Sequence, residues 1–292
     1  MSEPRMRVPD APPGPPAAES DSTWRALPGS DGSPPGLRPR LPRGVTDTVP
    51  IALAALFFLA AWKALVVLGG YPVFILPPPE VVAARFAEAW LEGTLAVHTA
   101  PTIVEVLLGF AAGSAVAVPA GYLLARSPVA ERLLSPYLVA AQATPILALA
   151  PLIALWFGTG LLSKLVICSL IVFFPVAVAT MVGVRSVDVG LLEMGRSFRA
   201  TRRQILTKLE IPAALPSILG GMRVGVTLAV IGAIVGEWAG GERGLGVLIN
   251  LARGSLFDTP LLFATLATLA LLGVALYLLV LLVERRLIGA RG

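Results

Sequence analysis

Residues 161–184 read LLSKLVICSLIVFFPVAVATMVGV and contain one charged side chain, Lys164. A helix needs roughly 20 apolar residues to cross about 30 Å of hydrocarbon, and this stretch meets that length. Working outward, five further stretches qualify: 48–69, 97–125, 136–157, 217–239 and 259–284. The chain is 56% hydrophobic and 14% charged, with mean hydropathy +0.81. A soluble domain carries about 25% charged residues and would leave this much apolar surface facing water. The sequence therefore predicts an all-α integral membrane protein with six transmembrane helices. Pro119, Pro145, Pro151 and Pro175 fall inside spans, where neighbouring helices or water satisfy the carbonyls they free. The run GFAAGSAVAVPAG, 109–121, is small enough for helices to approach closely.

Residues 1–44 have a different composition, rich in Pro, Gly, Ser and charge. Too little apolar surface is present to offset the entropy of ordering, so a disordered cytosolic tail is expected, followed by a membrane domain over 45–292. The first charges are followed by no apolar core of signal-peptide length.

Orientation follows from Lys and Arg. With the N-terminus inside, the cytosolic pieces hold Arg38, Arg40 and Arg43, then Arg126 and Arg132, then six cations in the loop 185–216, then Arg285, Arg286 and Arg291. The outer pieces hold Arg85, Lys164, Arg243 and Arg253. The expected topology is N-in, C-in. The same bias explains the net charge of +5 without nucleic acid. Between the first two spans, PPPE starts a short helix at the outer surface, with Val82, Phe86 and Trp90 at helical spacing. One Cys and one His exclude an internal disulfide and make a His/Cys metal cluster unworkable. No phosphate-cradling G-x-x-x-x-G-K-[ST] pattern occurs, so the chain does not bind ATP by that route.

The loop 185–216 contains EMGRSFRATRRQILTKLEIP, residues 193–212. Asp188 suits a helix cap. Leu191, Gly195 and Phe198 then share one face, and Glu193, Arg196, Arg199 and Arg203 form a roughly opposite stripe. Pro212 and Pro216 are expected to break the run before the fifth span. Three readings follow from these residues alone: a helix resting on anionic lipid, plain cytosolic charge, or a docking helix whose apolar knobs fit a partner's groove.

This segment resembles the EAA loop of permease subunits of binding-protein-dependent ABC importers. Glu193 stands at that motif's Glu, and EIPAALPSILGGMRVG, 210–225, is similar to its ending and the start of the next span. Met194 and Gly195 replace the two alanines, and Arg199 stands where the family usually has Gly. The stretches 145–188 and GEWAGGERGLGVLI, 236–249, are similar to the nitrate, sulfonate, taurine and pyrimidine-precursor branch, and the resemblance spans about residues 50–290. It implies a type I importer permease in the bacterial inner membrane that is not itself an enzyme. ATP and Mg would be bound by separate cytosolic ABC ATPase subunits, and this chain would hold no cofactor. An extracytoplasmic solute-binding protein would deliver substrate, and a second permease copy would face the first. The resemblance assigns ATPase coupling to Glu193, Gly195, Arg196, Phe198, Arg199 and Arg203.

Intramembrane polar residues are the candidates for the substrate path. Gln142 and Thr144 precede Pro145 and either line the path or bond backbone freed by the proline. Glu105 either pairs with a cation or lines the path. Glu237, about 30 Å along the fifth span from Ser217, is expected at the outer mouth. Trp238 beside it reads as an interfacial anchor, with stacking on a planar substrate as the alternative. Gly240, Gly241, Gly244 and Gly246 are expected to form a flexible outer turn. Cations within the spans are scarce, which disfavours nitrate, alkanesulfonate or taurine, and the acidic Glu237 beside Trp238 favours a neutral or cationic heterocycle. The GEW at 236–238 resembles that of importers of pyrimidine or thiamine precursors or riboflavin-like heterocycles, which the resemblance therefore implies as substrate. An intramembrane enzyme would need a nucleophile and base at matching depth, and Ser114 has no such partner nearby. A channel would not need the long cytosolic loop.

Overall fold

The computed structural model describes residues 48–289, and all regular structure among them is helical. The tail expected over 1–44 lies outside the described residues. Internal contacts divide the chain after Ala55, and the packing described here is that of Leu56 onward.

Five expected spans correspond to long apolar helices: α1 (Thr48–Gly69), α3 (Thr94–Arg126), α6 (Leu161–Arg185), α9 (Ile211–Gly240) and α11 (Thr259–Gly289). The short helix expected between the first two spans is α2 (Pro79–Leu91). The span expected over 136–157 is not one helix. α4 (Pro128–Ala143) and α5 (Ile146–Phe157) meet at 96°. Pro145 has no N–H to continue the helix, and its ring pushes the preceding residue out of the α region. Thr144 accordingly sits extended at ψ 123°.

α6 lies between α3 and α9 and packs along both. Lipid is as apolar as leucine, so this contact depends on close backbone approach rather than on removal from water. Glycines at both contacts allow it, as two of them show. A Cβ on Gly113 would sit 2.7 Å from the Ser169 carbonyl oxygen on α6, and one on Gly183 2.7 Å from Ser217 Cβ on α9. Val106, Ala117, Val172, Val176, Val226 and Ala229 fill the resulting core. Arg185 closes the α6 terminus with two bonds to Glu131, of 2.7 and 2.6 Å, and one of 3.1 Å to the Leu124 carbonyl.

Around this core, α11 packs on α9 and α2. Arg85 on α2 pairs with Asp258, just before α11, at 2.8 Å, and Lys63 on α1 pairs with Glu80. Large apolar side chains such as Leu59, Leu68, Val116, Leu271 and Leu278 face outward, as lipid contact requires. Every backbone group in a span must find its partner internally, and helices meet that demand.

Two features of the α9 region differ from expectation. α8 (Arg202–Ile205) runs through one π turn (Leu206–Glu210) directly into α9, so Pro212 and Pro216 do not break the run. The Ile211 N–H reaches back to the Leu206 carbonyl, and this wider turn accommodates the missing Pro212 donor. At the other end, the glycine segment is a built turn into α10 (Leu245–Arg253), with Gly244 at φ +139° and Gly246 buried within the helix.

Candidate functional site

Three places draw together the side chains singled out by the sequence. The first is the hairpin of α7 (Val189–Ser197) and α8. Asp188 caps α7 by accepting from the Gly190 N–H at 2.6 Å. The helix ends in a Schellman arrangement: the Ala200 N–H reaches the Gly195 carbonyl at 3.0 Å, and the Arg199 N–H reaches that of Arg196 at 2.8 Å. Such an ending needs a left-handed residue at the position after the C-cap, usually Gly. Arg199 occupies it at φ +54°. The backbone thus adopts the conformation for which the motif's glycine is suited, with a side chain that disfavours it. Thr201 and Gln204 close a reciprocal capping box on α8.

The face expected to join Gly195 to Phe198 is divided. Leu192 and Gly195 are buried, and a Cβ on Gly195 would meet Leu209 Cδ1 at 2.9 Å. Met194 and Phe198, at i and i+4, project instead, 49% and 79% exposed. Glu193, Arg196, Arg199 and Arg203 are also exposed. The result is a short capped helix whose scaffold face is locked and whose outer face offers apolar knobs among charges.

The second place is a cleft of about 840 Å³ between the α4–α5 bend, α6 and α9. Gln142 and Thr144 both line it, together with Phe174, Pro175 and Ser217. None of its lining side chains is charged. The Thr144 hydroxyl also donates to the Ala140 carbonyl at 3.0 Å, so this residue stitches the bend as well as facing the cleft.

The third place is a buried polar cluster at the α10 end. Lys164, counted with the outer cations at the start of the fourth expected span, is 7% exposed within α6 and donates to Glu105 Oε1 on α3 at 2.6 Å. Glu105 is therefore paired, and it stands away from the cleft that holds Gln142. Glu237 does not line an open mouth: it is 2% exposed. Its Oε1 accepts from the Thr102 hydroxyl and its Oε2 from the Gly246 N–H, each at 2.5 Å. Thr102 Oγ1 in turn accepts from the Leu245 N–H at 2.9 Å, and His98 Nδ1 stands 3.2 Å from Gly244 N. Three free N–H groups at the start of α10 thus meet side chains from α3 and α9. The Trp238 indole donates to the Gly246 carbonyl at 2.9 Å and so clamps the same turn. Lys164, Thr102 and His98 were missed as partners because pairing between helices leaves no periodic signal in a sequence.

The fold and these places define a multi-pass membrane permease of the ABC type. Residues 117–289 match the family described as binding-protein-dependent transport system inner membrane component, and the chain belongs to that family. It is 48% identical over 240 residues to a riboflavin transport system permease protein, RibX, of Chloroflexus aurantiacus, covering 82% of this chain and 88% of that one. It is 36% identical over 222 residues to a formylaminopyrimidine transport permease protein, ThiX, of Halalkalibacterium halodurans, covering 75% and 88%. An aliphatic sulfonates transport permease protein of Bacillus subtilis is 35% identical over 233 residues, covering 80% and 84%. Among solved structures, an inward-facing MetNI methionine ABC transporter superposes with TM-score 0.56 at 21% identity, covering 65% of this chain and 92% of that one. An amino acid ABC transporter superposes with TM-score 0.54 at 19% identity, covering 70% and 96%. These two report on the fold.

Proposed function

We propose that this chain is the membrane-spanning subunit through which an ATP-driven importer moves a neutral heterocycle of the pyrimidine or riboflavin class into the cytosol. The observation that carries the substrate class is the cleft bounded by the α4–α5 bend, α6 and α9. It has no cation to compensate a nitrate or sulfonate, and no carboxylate to compensate a cation. Burying an uncompensated ion in such a place costs several kcal/mol. A flat uncharged ring fits its apolar walls, with Gln142, Thr144 and Ser217 supplying hydrogen bonds. The similarity to permeases named for riboflavin and formylaminopyrimidine points the same way. The buried Glu237 no longer supports this preference; the uncharged cleft takes its place.

In this reading the topology is N-in, C-in, with the α7 end cytosolic and the α10 end outside. The α7–α8 hairpin docks in a groove on the ATPase, with Met194 and Phe198 as knobs and Glu193, Arg196 and Arg203 around them. α7 is joined to α9 through α8 and the π turn, so a push on α7 moves a helix that walls the cleft. A solute-binding protein docks at the α10 end, and a second copy of this chain completes the path.

Uptake tests the substrate. In cells expressing the complete importer, radiolabelled riboflavin or formylaminopyrimidine is expected to accumulate, and excess taurine or alkanesulfonate is expected not to compete. Accumulation of taurine or a sulfonate, with no flavin or pyrimidine uptake, would overturn the substrate class and leave the family membership intact.

A further inference from the structure

At the α7 end a second, polar pocket of about 630 Å³ opens between the last turn of α3, the α7–α8 hairpin and the π turn. Arg126, Arg196, Arg202 and Glu210 give it its charge, and Tyr122 lines it beside them. Glu210 is nearly fully buried, and its two oxygens are engaged: one pairs with Arg126, the other accepts from the Tyr122 hydroxyl at 3.1 Å. That carboxylate is therefore neutralised within the floor. Arg196 and Arg202 have no carboxylate within 4.0 Å among the described residues. Three guanidinium groups thus face one carboxylate, leaving an excess of two positive charges in a concave site.

Like charges held around one pocket repel, and an anion placed between them converts that repulsion into charge-assisted hydrogen bonds. The planar guanidinium fork matches two oxygens of a phosphate. Position adds a second argument. On the topology proposed above, on which this argument rests, the pocket lies where α3 ends and where α9 begins, on the cytosolic side, where basic pockets between transmembrane helices hold phospholipid head groups. We propose that this pocket binds a phosphate group, held by Arg196 from α7 and Arg202 from α8 above the Arg126–Glu210 floor. A bound phosphate would bridge α7, α8 and α3 and stiffen the hairpin against the bundle.

The phosphate has two possible sources, a phospholipid head group or a soluble anion, and one experiment separates them. The full-length protein, the Arg196→Gln/Arg202→Gln double variant and an Arg243→Gln control are purified and delipidated. Native mass spectrometry counts lipid retained from phosphatidylglycerol/phosphatidylcholine vesicles, and hydrogen exchange over residues 194–205 is followed with inorganic phosphate. Retention of phosphatidylglycerol by wild type and control, about tenfold weaker in the double variant, as loss of roughly 1.4 kcal/mol predicts, identifies a head-group site. Protection by inorganic phosphate alone, lost in the double variant, identifies a soluble-anion site. An Arg196→Lys/Arg202→Lys variant retains part of either response, which separates charge from folding. Equal retention and equal exchange in wild type and double variant overturn the proposal. So does protection that arises only on adding the ATPase subunit, which would assign the arginines to an acidic side chain of that partner.

Discussion

The α7–α8 hairpin and the α9–α10 turn sit at opposite ends of one continuous helical run, Arg202–Gly240, and are held in opposite ways. The hairpin is closed by its own local hydrogen bonds, keeps most of its charges exposed, and tolerates Arg199 in a left-handed conformation. The α10 turn is closed by side chains from other helices: Glu237, Thr102 and His98 take its N–H groups, and the Glu105–Lys164 pair lies beside it. A Cβ on Gly236, next to Glu237, would stand 3.1 Å from Lys164 Cα, which shows how tightly α6 and α9 meet there. An element built from local bonds moves as a unit when gripped from outside. An element tied to both α3 and α9 reports their relative positions. The difference suits a lever at one end and a cap that senses helix separation at the other.

The largest effect is expected where that cap is buried. Lys164→Met strands the Glu105 carboxylate in the protein interior and should cost about 3–5 kcal/mol, read as a fall in unfolding temperature of the detergent-purified protein. Glu105→Gln added to Lys164→Met removes both charges and should recover most of the loss. An additive double variant would mean the pair carries no coupling. Next, Glu237→Leu leaves the Gly246 N–H without its acceptor and should cost about 1–3 kcal/mol, with Glu237→Gln milder because one acceptor remains. At the hairpin the effects on stability shrink. Arg199→Val forces a β-branched residue into the left-handed region and should cost about 1–2 kcal/mol, whereas Arg199→Gly should be neutral or stabilising. Equal behaviour of the two variants would show that φ at Arg199 is not constrained. The smallest stability effect belongs to Glu193→Lys, within about 0.5 kcal/mol of wild type, because that side chain is exposed. Its expected consequence is functional: normal insertion with uptake lost. Normal uptake at normal expression would remove Glu193 from coupling.

Much of the scaffold was legible in the sequence because hydrocarbon thickness sets helix length. α1 matches its expected limits, and α6 runs one residue past its own. The α4–α5 bend was missed although Pro145 announced it, since apolar length alone cannot tell a straight span from one broken at a proline. Arg199 was legible through the motif's glycine, and its φ supplies the physical reason for that preference. The burial of Lys164 and Glu237 was missed for a shared reason. Depth counted along one helix says nothing of the neighbour folded over it, and α10 covers the turn that glycine content suggested was open. The split of Gly195 from Phe198 has the same origin, because Leu209 returns from α8 and the π turn to cover one side of α7.

On the proposed function, the α7 end is gripped by the ATPase subunit and the α10 end is not. Cys168 is the only cysteine and is buried, so a cysteine introduced at Phe198 or at Arg243 can carry a benzophenone selectively. In membranes containing the whole importer, illumination is predicted to join the Phe198→Cys protein, and not the Arg243→Cys protein, to the ATPase subunit. No ATPase adduct from Phe198→Cys, or equal adducts from both ends, would contradict the assignment of the α7–α8 hairpin to ATPase docking.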